Sequence, residues 1–216
     1  MSMLIYGISD VHNRYKDLVV PPCDLLISTG DYSFRGDISE TRNFHKWLDE
    51  QPATYIISVM GNHELGVEKN FELHKVLALE QCPRVHFIEE GLIQIEDLKI
   101  WCSSYTPAFC DWAYNVYTDE DLKKHWDMIP EGIDILATHG PPYGMLDEVF
   151  CPPSYAEHKG CRQLWDAVLR VKPKAHIFGH LHYHYGQKEF NGIKFYNIAN
   201  CNDSYKIERQ PTEIIL

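Results

Sequence analysis

Five short apolar runs in this chain end abruptly in side chains that bind metal ions, and this feature constrains the fold more than any other. Leu4–Ser9 runs into Asp10 and His12, and Leu25–Thr29 into Gly30-Asp31. Tyr55–Met60 leads to Gly61-Asn62-His63-Glu64, Ile133–Thr138 to His139-Gly140, and Ala175–Gly179 to His180-Leu181-His182. Short β-rich apolar runs read as buried strands. In open α/β sheets, ligands bind beyond the carboxyl ends of such strands. Five strand ends delivering Asp, His and Asn to one rim exceed what packing asks for, and they predict a two-metal enzyme.

The remaining pattern predicts an α/β chain. Asp37-Ile38-Ser39-Glu40 reads as an N-cap with an acidic third helical residue, opening a helix with Phe44, Trp47 and Leu48 on one face. A second helix is predicted from about Asn70 to Gln81, stopped at Cys82-Pro83. Three β-rich runs follow, at Val85–Ile88, Leu92–Ile95 and Lys99–Cys102, the last two joined as a hairpin by Glu96-Asp97-Leu98. Thr118 caps a short helix carrying Leu122 and Trp126. A helix around Cys161–Val171 buries Leu164, Val168 and Val171, and Asn191-Gly192 marks a late hairpin. The sum is a four-layer α-β-β-α sandwich, two mixed β-sheets flanked by helices, read as a single domain over residues 1–216.

A net charge of −11 argues against sequence-independent binding of nucleic acid, which needs a basic surface. Two divalent cations would reverse the local sign for an anionic substrate. No stretch has the length of a membrane span, and no charged region precedes an apolar stretch at the N-terminus. The seven cysteines include no Cys-x-x-Cys pair and read as reduced core thiols, so a cytoplasmic protein is expected.

The series Asp10-x-His12, Gly30-Asp31, Gly61-Asn62-His63-Glu64, Thr138-His139-Gly140 and Gly179-His180-x-His182 resembles the calcineurin-like metallophosphoesterases, block by block and in order. The resemblance implies one metal held by Asp10, His12, Asp31 and His182, and a second by Asp31, Asn62, His139 and His180. Imidazole and carboxylate donors suit Mn²⁺, the ion expected to work in vitro, and also Fe, Zn²⁺ or Ni²⁺. The implied reaction is attack on phosphorus by a hydroxide bridging the two metals. His63 is then the candidate acid for the leaving oxygen. Arg35 occupies the place of a phosphate-binding Arg in related phosphoprotein phosphatases. Those enzymes carry, one residue earlier, an Asp that orients the catalytic His. This chain has Phe34 there, which leaves Glu64 or a backbone carbonyl to orient His63.

Further blocks are similar to the small metallophosphoesterase-domain proteins: Ile100–Pro107, Asp111–Asn115, Thr138–Gly144, and Tyr196–Cys201 through Gln210-Pro211. They imply a phosphodiesterase acting on a small phosphoester such as a cyclic nucleotide. Monoesterase, protein phosphatase and nuclease are the enzymatic alternatives; the acidic charge disfavours nuclease, and short size with the missing further phosphate-binding Arg motif disfavours protein phosphatase. A non-catalytic interaction module is the alternative of another class, but such a protein is expected to lose ligands, and here none is lost. Trp112 and Tyr114, on a loop, could stack a base or aryl group, although packing on the core is the plainer reading. Tyr143, on the Gly140-Pro141-Pro142 loop near His139, is the better placed for substrate. His180, His182 and His184 have the spacing of one strand face; only the first two match the family pattern, which leaves His184 behind the ligands or at the rim.

Overall fold

Alternate residues of each apolar run face opposite ways, and this alternation sorts the buried side chains into three cores. The computed structural model describes residues 3–151 and 155–216. Along the chain come β1 (Ile5–Ile8), β2 (Cys23–Ser28), α1 (Ile38–Asp49), β3 (Ala53–Val59), α2 (Leu65–Lys69), α3 (Phe71–Gln81) and β4 (Val85–Ile88). Next are β5 (Glu90–Ile95), β6 (Leu98–Ser103), β7 (Thr106–Pro107), β8 (Asn115–Val116), α4 (Asp119–Asp127) and β9 (Ile135–Thr138). Then follow β10 (Glu148–Cys151), β11 (Tyr155–His158), α5 (Arg162–Val171), β12 (Ala175–Phe178), β13 (Gly186–Phe190), β14 (Ile193–Asn197) and β15 (Thr212–Ile214).

One sheet has the order β15-β1-β2-β3-β4 and is parallel except for β15, which pairs antiparallel with β1. The other has the order β13-β14-β12-β9-β6-β5, with four central parallel strands and an antiparallel strand at each edge. Leu25, Ile27, Ile57 and Val59 meet Ile100, Ile135, Ala137 and Ile177 between the sheets. Leu26 and Ile56 point the other way, under Phe44 and Leu48 of α1. Leu136 and Phe178 face Leu122 and Trp126 of α4 and Leu164 and Val168 of α5. Three cores separated by two sheets make the four layers α-β-β-α that the sequence predicts.

The register brings the donors level. Ile8 pairs with Ser28 and Ser28 with Ser58, so the loops carrying Asp10, Asp31 and Asn62 leave the first sheet at one height. Ile177 pairs with Ala137, which does the same for His139 and His180 in the second. The two sheets are joined at this end: Ser9 N–H donates to Asn200 Oδ1 at 2.9 Å, and Asn200 N–H donates to Ser9 O at 2.8 Å.

Asp37 and Glu40 form the expected capping box on α1. Glu40 also accepts from the Phe34 and Arg35 amides, which ties the loop after Asp31 to the helix. Three local features differ from expectation. The chain inserts α2 before α3, adds the β10–β11 hairpin, and turns into a 3-10 helix at His182–His184 instead of continuing as a strand. His184 therefore does not share a face with His180 and His182. Among the described residues no helix is long and apolar enough to cross a membrane. Cys23, Cys82, Cys102, Cys161 and Cys201 are buried free thiols, whereas Cys110 is exposed, and the Cys151 side chain lies outside the described part.

His45 on α1 is fully buried, with Nδ1 2.7 Å from Thr41 O and Nε2 3.0 Å from Ser58 Oγ. Burial pushes its pKa down from 6.5 to about 4. The unfolded chain thus takes up this proton before the folded one does. The stability it carries is whole above pH 6.5 and is lost as the pH falls toward 4, up to about 3 kcal/mol for a shift of this size. Urea unfolding of the wild type and His45→Gln at pH 7 and pH 4.5 checks this: the gap between the two proteins should narrow at the lower pH.

Candidate metal centre

Seven donor residues converge where the two sheets meet. Asp10, His12 and His182 form one cluster, and Asp31, His139 and His180 another; His12, Asp31 and His63 form a third that overlaps both. The two Asp31 oxygens divide between them. Oδ1 lies 3.4 Å from His139 Nε2, and Oδ2 lies 4.0 Å from both His12 Nε2 and His63 Nε2. Asp10 Oδ1 is 3.4 Å from His182 Nε2. The Asn62 amide lies between His139 and His180, its Oδ1 2.9 and 2.8 Å from their ring nitrogens.

Main-chain carbonyls aim the imidazoles. Nδ1 of His12 meets Ser33 O at 3.3 Å, Nδ1 of His139 meets Thr29 O at 2.8 Å, and Nδ1 of His182 meets Asn202 O at 3.1 Å. Each carbonyl accepts from Nδ1–H and so turns Nε2 inward, the arrangement that readies histidine for a metal. The Nε2 atoms of His12 and His182 approach to 3.2 Å. Mostly buried imidazole nitrogens and carboxylate oxygens, brought within 4.8 Å of one another in each cluster, are the donor types a divalent transition metal takes. The residues present therefore fit a metal centre.

The backbone is strained at the same place. Asp10, His12, Asp31 and His180 have φ of 54°, 40°, 51° and 69°, the left-handed region, at about 1–2 kcal/mol each. Such outliers gather where function holds them. Glu64, fully buried, stands behind the donors and accepts from the amides of Asp31, Gly61 and Ser33 and from Ser33 Oγ. It binds the donor loops to each other, and burial and the Asp31 charge push it up to about 8.

Burial pushes His12 and His180 down to about 4, which keeps their rings neutral and able to coordinate. Burial also acts on His139, but Asp31 and Asp10 outweigh it and lift it to about 9. Burial works to raise Asp31, yet His139 and His63 hold it well below the carboxylate range.

A cleft of about 510 Å³ opens onto these donors. His63 faces it, with Nδ1 3.2 Å from the Phe34 carbonyl; the group standing in for the missing Asp is thus main chain, while Glu64 is engaged elsewhere. Trp112 stacks on His63 at 4.2 Å and lines the cleft instead of packing into the core, whereas Tyr114 is buried. Arg35 lies over Trp112, 5.7 Å from its centroid. Tyr143 and His184 are not brought to the cleft: Tyr143 lies under the Arg162 guanidinium at 3.6 Å and beside His158. Tyr205, unmarked in the sequence because its loop carries no donor motif, lines the cleft.

A two-sheet sandwich with His and Asp donors gathered at strand ends defines a metal-dependent phosphoesterase. Residues 3–184 match the calcineurin-like phosphoesterase family, and the chain belongs to it. It is 32% identical to the human metallophosphoesterase domain-containing protein 1, over 97% of this chain and 69% of that protein. It is 26% identical to a 3′,5′-cyclic-nucleotide phosphodiesterase of Nostoc sp., over 89% of this chain and 67% of that one. The phosphopantetheinyl hydrolase of Mycobacterium tuberculosis shares the fold, with a TM-score of 0.60 at 17% identity, covering 94% of this chain and 90% of its own.

Proposed function

We propose that this chain is a phosphodiesterase for a small phosphoester with a planar aromatic or nucleoside group, working with two divalent cations. The observation that carries the reading is Asp31, turned toward both donor clusters beside a His63 that faces the cleft. Asp10, His12, Asp31 and His182 would hold one cation, and Asp31, Asn62, His139 and His180 the other. When bound, the cations neutralise phosphate charge and acidify water. The donor set suits Mn²⁺, Fe, Zn²⁺ and Ni²⁺.

The protein's own groups do the rest. His63, with Nδ1–H held by the Phe34 carbonyl, presents Nε2 to the cleft and donates a proton from it to the departing oxygen. Arg35 supplies positive charge at the rim. Glu148 and Asp203 line the cleft together with Lys159, and the two carboxylates repel a dianionic monoester more than a singly charged diester. The similarity to a cyclic-nucleotide phosphodiesterase supports a nucleotide. The buried thiols fit a reducing compartment, hence the cytoplasm, and residues 1–216 are read as one domain.

The test is hydrolysis of an aryl phosphodiester and its monoester by metal-stripped protein, with Mn²⁺, Zn²⁺, Mg²⁺ or nothing restored. Metal-dependent turnover favouring the diester is expected. Two bound metals with no cleavage of either ester would instead make the chain a binding module. His63→Ala should keep its metals and lose roughly 10²–10⁴-fold in turnover, most on poor leaving groups. Loss of the metals in this variant would refute the role given to His63.

A further inference from the structure

Tyr205 reaches the centre from a segment that carries no donor. Its ring lies edge-on to His12 at 4.6 Å, and 5.8 Å from His182, 6.2 Å from His63 and 5.8 Å from Phe34 between centroids. It lines the cleft and is 38% exposed, so it neither fills a core nor stands free in solvent.

Its backbone has φ 55°, a conformation that strains a bulky residue and suits glycine or asparagine. The turn that imposes it is well tied. Tyr205 N–H donates to Asn202 O at 2.9 Å, Asn202 N–H to Lys206 O at 2.9 Å, and Lys206 N–H to Asn202 Oδ1 at 3.2 Å. The same Asn202 carbonyl orients His182. A turn of this kind asks only for glycine or asparagine. The turn itself does not call for an aromatic residue, and strain kept at a cleft points to use.

Trp112 borders the cleft on the His63 side, at 4.2 Å, while Tyr205 is nearest His12 and His182. We infer that Tyr205 is a substrate-contacting residue whose ring packs against the ester group that stays on phosphorus, a planar aromatic or nucleoside group. The assignment rests on the phosphodiesterase reading above, in which His63 protonates the leaving oxygen and so fixes the leaving group on the Trp112 side. Tyr205 then determines preference for the retained group, and its ring rather than its hydroxyl does so.

Two diesters with a common 4-nitrophenyl leaving group, one retaining phenyl and one retaining methyl, test this with Tyr205→Gly, Tyr205→Asn and Tyr205→Phe. Gly and Asn accept the backbone angle, so the fold is preserved. For both, kcat/KM on the phenyl ester is expected to fall about tenfold, as for a lost aromatic stack, mostly through KM. The methyl ester should change less than about twofold, and Tyr205→Phe should behave as wild type. Metal content should be unchanged and the circular dichroism spectrum should match wild type. Equal loss on both esters, or none, overturns the proposal. If wild type cleaves neither ester, the phosphodiesterase reading fails. Binding of adenosine monophosphate, read by tryptophan fluorescence, then still decides Tyr205: about tenfold weaker binding by Tyr205→Gly sustains it, and equal affinity overturns it.

Discussion

Asp31→Asn should leave a folded protein that binds little metal and loses activity by roughly a thousandfold. Asp31 is buried, and each of its oxygens serves a different group of histidines. Its Oδ1 also accepts the His63 amide at 2.8 Å. Asparagine has the same shape and can keep that hydrogen bond, so the loop retains its path. What it loses is the negative charge shared between two positions, and no other donor is turned to both. Elemental analysis beside circular dichroism checks this: the variant should match wild type in its spectrum and lack most of its metal. A fully loaded Asp31→Asn protein would show that the carboxylate is not the shared donor.

Gly61→Ala is expected to be nearly as severe, for a steric reason. A Cβ at position 61 would lie 2.3 Å from Asp31 Oδ1, 2.5 Å from His139 Cε1 and 2.6 Å from the Asp31 amide nitrogen. These neighbours are a buried carboxylate, a buried ring and main chain, none of which yields cheaply. Overpacking of this kind costs about 1–3 kcal/mol, and the atoms forced apart are the donors themselves. Gly132→Ala makes the contrast: φ of 75° strains alanine there, but nothing lies within 4 Å of the added methyl. Thermal unfolding should show both variants destabilised, while metal content and turnover should fall only for Gly61→Ala. Normal metal binding by Gly61→Ala would mean that the donor loops are looser than their hydrogen bonds indicate.

The residues that gather at the candidate centre are legible in the chain because a buried parallel strand is a continuous apolar run, and the run stops where the strand does. Asp10, Asp31, Asn62, His139 and His180 each mark such a stop. The layering followed from the same alternation that sends Leu26 to one core and Leu25 and Ile27 to another. The walls of the cleft were less legible. Trp112 faces the cleft because the Ala113 amide donates to Asn62 O at 2.9 Å and draws the loop over the donors. A contact between main-chain atoms of distant segments leaves no mark in residue types. The same is true of the Phe34 carbonyl at His63. Tyr143 seemed well placed by its nearness to His139 in sequence, but Arg162, from α5, lies over its ring. His184 would share a face with His180 and His182 only in a strand, and the segment is a 3-10 helix.

The reciprocal hydrogen bonds of Ser9 and Asn200 join the sheets at the donor end. Ser9 immediately precedes Asp10, so the path of the first donor loop is tied directly to the segment that follows β14 of the second sheet. Protein groups alone thus hold the donor loops of the two sheets in register. An entering cation then meets a basin already shaped to its charge. Its binding energy goes into locking the native state by mass action instead of into assembling the basin.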